Sequence, residues 1–189
     1  MTFSQYKIYF VLAFLMLSSW FLADLFEPKA VIKAKVTDHS PDYFSNGYYK
    51  KEMDVAGLLK NELLADKMIH YSDDGTIHLD NPVMTLYNPD DIPPWVIKSE
   101  RAIVEADKDN MQLMGKVSVS RAGTKSMRPF LLNTSELKVK LSTSYAQTNK
   151  WAEVIDAQNR TQGVGMKMTF KEPVKIKFLS KVKGRYVFN

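Results

Sequence analysis

From position 77 onward this chain alternates apolar and polar residues, segment after segment, and a chain so patterned buries one face of extended strands. Between residues 110 and 120, Met111, Leu113, Val117 and Val119 share one parity, while Gln112, Lys116, Ser118 and Ser120 take the other. Leu137, Val139 and Leu141 alternate with Glu136, Lys138 and Lys140. Val164, Met166, Met168 and Phe170 follow, then Val174, Ile176 and Phe178, then Val182, Tyr186 and Phe188. A period of two marks a half-buried strand, because successive side chains leave the pleat on opposite faces. Ile77, Leu79, Val83, Thr85 and Tyr87 also share a parity, broken at Asn81-Pro82, where a bend or an edge tolerates the missing amide donor. Residues 53–70 alone suit a helix about as well as a strand.

Turn chemistry separates these runs. Asp73-Asp74-Gly75 is a hairpin signal between strands at Tyr71 and Thr76, and residues 88–94 and 142–150 read as longer loops before Trp95 and Trp151. Strands at this spacing without helical interludes predict an all-β antiparallel domain, whether sandwich, barrel or jelly roll.

Ahead of the β pattern, residues 8–23 (IYFVLAFLMLSSWFLA) run without a charge. At about 1.5 Å per residue the run from Ile8, extended by Tyr6, Leu25 and Phe26, approaches the roughly 30 Å hydrocarbon thickness of a bilayer. A cleaved signal peptide needs small residues after its apolar core, and Trp20, Phe21 and Leu22 stand there instead, so an uncleaved single-pass anchor is expected. Lys7 precedes the run and Asp24 and Glu27 follow it, which predicts a cytoplasmic amino terminus, with Trp20 at the far interface. The expected organisation is an anchor over residues 1–26, a connector over 27–52 with a short strand at 31–36, and one domain over 53–189.

The chain has no cysteine, so neither disulfides nor thiolate metal sites are available, and a hydrophobic content of 45% must supply the core. The net charge of +5 is localised. Residues 167–189 hold seven Lys or Arg against Glu172 alone, which leaves the rest nearly balanced. That argues for one basic edge and against a nucleic-acid-binding surface.

Catalytic motifs are absent: there is no G-x-S-x-G, no H-E-x-x-H and no P-loop, and Gly163-Val164-Gly165 does not continue as a dinucleotide fingerprint. His39, His70 and His78 lack ligand spacing, and Asp73-Asp74 and Asp90-Asp91 read as turn formers. No enzyme, cofactor or metal is expected. The carboxyl-terminal strands are two-faced, with Val174, Ile176 and Phe178 opposite Lys175 and Lys177. Such strands suit either an ordinary core with solvated lysines or a site for an amphiphile, whose anionic head would meet the cations.

Tyr71-Ser72-Asp73, Asn81-Pro82-Val83, Asp91-Ile92-Pro93-Pro94-Trp95, Lys98-Ser99-Glu100-Arg101-Ala102 and Gly115-Lys116-Val117 occur here in an order that resembles the LptC family. The later Gly165-Met166-Lys167-Met168 and Arg185-Tyr186 fall in order too. This family is the bitopic inner-membrane component of lipopolysaccharide export in Gram-negative bacteria. The resemblance implies an open, twisted β-jelly roll like that of the periplasmic bridge protein LptA, preceded by one transmembrane helix. It implies a conduit that receives lipopolysaccharide from an ABC transporter (LptB, LptF and LptG-like subunits) and passes it to an LptA-like partner. Lipid-facing positions carry over to Tyr48, Leu79, Ile176 and Tyr186, joined by their neighbours Val117, Val119, Met166, Met168 and Phe178. Gly57 matches a family glycine at the transporter edge. The bridge-protein edge falls on Lys181, Lys183, Arg185, Tyr186 and Phe188, and an edge-to-edge homodimer is an alternative state of the free protein. A bitopic envelope scaffold with a sealed sandwich is the rival function.

Overall fold

The computed structural model describes residues 3–25, 39–88, 92–171 and 173–187, with helix side chains described from 6 to 22. The expected strand at 31–36 lies outside the described residues, as does Phe188. The chain divides into two units, Met1–Thr37 and Asp38–Asn189.

In the first unit, α1 (Phe3–Leu25) is uninterrupted by proline or glycine and rich in Leu and Phe. Ile8 and Trp20 are exposed on it, and Leu25 is its last residue. Among the described residues no helix is long and apolar enough to cross a membrane, so the helix is present but the expected transmembrane span is not supported.

Among the described residues, the second unit is one antiparallel sheet of eleven strands. They are β1 (Pro41–Met53), β2 (Leu59–Tyr71), β3 (Ile77–Asp80), β4 (Val83–Leu86), β5 (Trp95–Lys98), β6 (Arg101–Val104), β7 (Asn110–Arg121), β8 (Phe130–Lys140), β9 (Tyr145–Asp156), β10 (Asn159–Thr169) and β11 (Lys175–Arg185). On the side of β2 away from β1, β4 pairs with residues 61–64 and β3 with residues 67–70. On β7, β6 pairs with residues 111–114 and β5 with residues 118–121. Each short pair is therefore one long strand broken in the middle. The breaks adjoin: the Asn81 amide donates to the Glu100 carbonyl at 2.8 Å and the Ser99 amide to the Pro82 carbonyl at 3.3 Å. Asn81 takes φ 48, a left-handed conformation that asparagine adopts more readily than most residues. From β7 the sheet continues through β8, β9 and β10 to β11, leaving β1 and β11 as its edges.

The sheet folds over itself, as Trp95 on β5 shows by reaching Phe130 at 5.2 Å and Phe170, just past β10, at 5.4 Å. One apolar cluster fills the interior, with Ile97, Leu113, Leu132 and Leu137 no more than 2% exposed. Burying a side chain of that size contributes about 1.5–3 kcal/mol.

Several local expectations are corrected. Residues 41–52, read as connector, belong to the strand Pro41–Met53; of the two readings open for residues 53–70, the extended one holds over residues 59–70, because β1 and β3–β4 offer ladders on both sides. The loop expected to 150 ends sooner, since β9 starts at Tyr145. Val164 leaves the Met166 face because Gly165 (φ 74) forms a bulge, which reverses the parity. Val182 is 54% exposed for a similar reason, following Lys181 at φ 51 in a bulge of β11.

Candidate functional site

Two clefts open into the folded sheet. The first, of about 610 Å³, lies along β11, with Ile176, Phe178, Phe130 and Val154 as apolar walls and Arg121, Arg128 and Tyr186 adding polar groups. The second, of about 580 Å³, is bounded by Asn61, Leu86, Trp95, Leu141 and Phe170, with Lys60, Lys140 and Lys171 as cations. A smaller one of about 200 Å³ under β1 includes Tyr48, Leu63 and Met111, and shares Asn61 and Leu141 with the second. Burial raises the Tyr48 hydroxyl above the ordinary phenol range.

The residues expected to form one groove divide into two groups. Ile176, Phe178 and Tyr186 line the first cleft and Tyr48 the smallest. Leu79, Val117, Val119, Met166 and Met168 are at most 2% exposed, packed among one another in the closed core. Trp95, Phe130, Phe170 and Arg121, which sequence reasoning did not single out as site residues, join the clefts to that core. Arg121 lies 4.5 Å over the Trp95 ring, a cation–π contact. One signal was present: Trp95 shares the parity of Ile97 on β5, which marks it as inward-facing.

At the carboxyl-terminal edge, Lys181, Lys183 and Arg185 are exposed on β11, which among the described residues pairs only with β10. Arg185 stands directly opposite Arg160, whose side chain is bonded to the buried Glu153. That bond holds the Glu153 carboxyl below the usual carboxylate range. Lys177 faces Lys167 across the same ladder. Like charges in register disfavour the free pair and favour an anion between them. At the other edge Gly57 sits in the β1–β2 turn, not within a strand, at φ 78. The Asp54 carboxylate accepts the amides of Ala56 at 2.8 Å and Leu58 at 2.9 Å, fixing that turn.

The histidines do not form a common site. His70 is opposite Ile77 and His78 opposite Ile69, so the two rings leave opposite faces of the sheet. His70 meets the Asp42 carboxylate at 2.7 Å and stacks on Tyr43; the bond lowers the Asp42 pKa. His39 meets Asp73 at 3.2 Å and stacks on Tyr71. His39, Asp73 and Asp74 bring ligand atoms within 4.8 Å of one another, all three exposed. The turn already uses Asp74, whose carboxylate accepts the Thr76 amide at 2.8 Å, and the Thr76 side chain and amide together lower its pKa.

The family model for lipopolysaccharide-assembly, LptC-related proteins matches residues 8–187. The lipopolysaccharide export system protein LptC of Escherichia coli K12 is 28% identical over 114 residues, which are 60% of this chain and 54% of that protein. The Shigella flexneri protein of the same name matches equally. This chain thus spans about half the length of the curated relatives it matches. Among solved structures, the sheet resembles LptH of Pseudomonas aeruginosa, described as the LptA-homologous periplasmic component of a lipopolysaccharide transport device. The TM-score is 0.56 at 9% identity, covering 67% of this chain and 94% of that one. At that identity the likeness is one of fold.

Proposed function

Since the chain belongs to the LptC-related lipopolysaccharide-assembly family, we propose that it is a component of the lipopolysaccharide transport bridge. It receives lipopolysaccharide extracted from the inner membrane by an ABC transporter and passes it through its apolar interior to an LptA-like periplasmic protein. The observation that carries this reading is the first cleft, where the apolar Phe130, Ile176 and Phe178 stand beside the cationic Arg121 and Arg128. Acyl chains find apolar walls there, and phosphates find guanidinium partners.

The edges have separate tasks in this reading. The β1 edge, with Gly57 in its turn, meets the LptF and LptG-like subunits; the β11 edge, with Lys181, Lys183, Arg185, Tyr186 and Phe188, adds its ladder to the bridge protein. Strand addition satisfies the backbone groups that β11 leaves unpaired. Helix α1 serves as the inner-membrane anchor with its amino end cytoplasmic, a role supported by the uncharged run over residues 8–23.

A scaffold role has one observation in its favour, the closure of Leu79, Val117, Val119, Met166 and Met168 from solvent. Photo-crosslinkers at Ile176 and Tyr48 separate the two readings. A conduit captures lipopolysaccharide at both positions during ATP-driven export. A scaffold captures none while its variants still complement growth.

A further inference from the structure

The two large clefts share no lining residue, and between them the Trp95 indole of one meets a wall of the other. Trp95 lines the second cleft. Its ring meets Phe130, a wall of the first cleft, edge-on at 5.2 Å, and Phe170, a wall of the second, at 5.4 Å. Arg121, also on the first cleft, lies 4.5 Å from the same ring. At this point two aromatic side chains in edge-on contact, one from each cleft, separate the clefts.

Resting on the conduit reading, we propose that the Trp95 indole is a movable partition, closed in this structure, that swings aside to let an acyl chain pass between the two clefts. Two observations distinguish it from an ordinary core tryptophan. Although Trp95 is 1% exposed, its Nε1–H has no hydrogen-bond acceptor among the described residues. A buried donor without an acceptor disfavours the closed position, and an ester or amide carbonyl of an entering lipid would satisfy it. Trp95 is also the first residue of β5, just after Pro93-Pro94, so its movement disturbs only the terminal rungs, Leu86–Trp95 on one side and Trp95–Arg121 on the other. Ile97, one step further in on the same face, has further rungs beyond it at each end on both sides.

The full chain carrying Trp20→Phe and Trp151→Phe leaves Trp95 as the sole tryptophan emitter, and photo-crosslinkers at Ile176 and Leu86 sample the two clefts. Purified lipopolysaccharide is expected to shift Trp95 emission, to raise its acrylamide quenching severalfold, and to be captured at both positions. In the Trp95→Ala chain, capture at Leu86 should rise severalfold relative to capture at Ile176. Trp95→Phe, which retains an aromatic ring should the alanine variant fail to fold, should raise it less. Capture at both positions with unchanged Trp95 emission and quenching overturns the partition and leaves the conduit standing. Capture confined to one cleft whatever occupies position 95 also overturns it. Capture at neither overturns the conduit reading, and the partition with it.

Discussion

At the scale of single residues, the contrast between closed core and cleft wall is open to measurement. Leu132 is 0% exposed, so Leu132→Ala removes its transfer energy and leaves a cavity, at a cost of about 3 kcal/mol. Ile176 is only partly buried against the core and already borders the first cleft; Ile176→Ala should cost about 1 kcal/mol, because the site is not closed to begin with. Urea midpoints of the two variants test this, and equal losses would mean that Ile176 belongs to the core. Titration is equally local. Burial first, and then the nearby His39, lower the His78 pKa from its ordinary value of 6.5, so the folded state prefers the neutral ring. Its contribution to stability is full above pH 6.5 and is lost as pH falls through the depressed folded value. The thermal midpoint should therefore decline from pH 7 toward 5, and His78→Gln should flatten that segment. The carboxylates of Asp42, Asp74 and Glu153, all held below their usual range, cause a separate loss in more acidic solution.

At the scale of elements, the period-two pattern was enough to read β7, the end of β10 from Met166 and the first half of β11, because their inner residues keep one parity there. Its failures are equally local. Gly165 and Lys181 each insert a bulge, and one extra residue exchanges the faces, which is why Val164 and Val182 point away from the core. The strand character of residues 41–53 was masked by polar and aromatic residues, since β1 is an edge that buries little of either face. The paired bends at Asn81-Pro82 and Ser99-Glu100 were half visible: the proline marked one, but only the long-range ladder aligns it with the other. The site divides in the same manner. Inward parity identified Leu79, Val119 and Ile176, but exposure depends on how closely the folded sheet meets itself, and no local pattern carries that distance. The bonds from His70 to Asp42 and from His39 to Asp73 join residues 28 and 34 positions apart and were invisible for that reason.

At the scale of the whole molecule, the proposed bridge requires each end of the chain to serve a different partner. β11 is an edge strand of the sheet, its outer ladder is unpaired among the described residues, and its Lys177 and Arg185 stand opposite Lys167 and Arg160. Helix α1 lies in a separate unit, rich in exposed apolar side chains. A chain so divided predicts two separable defects. Deleting residues 181–189 removes the end of the β11 ladder together with Lys181, Lys183 and Arg185, and should abolish pull-down of the LptA-like protein while transporter subunits still copurify. Replacing residues 1–26 with a cleavable signal should do the reverse at the other end: the bridge protein still binds and export continues, while ATP hydrolysis by the transporter loses its dependence on this chain. Were both changes to abolish both associations, the two ends would act through the stability of the sheet, not through separate contacts. A thermal midpoint on each variant identifies that case, because a folded domain that has lost one partner retains the midpoint of the parent.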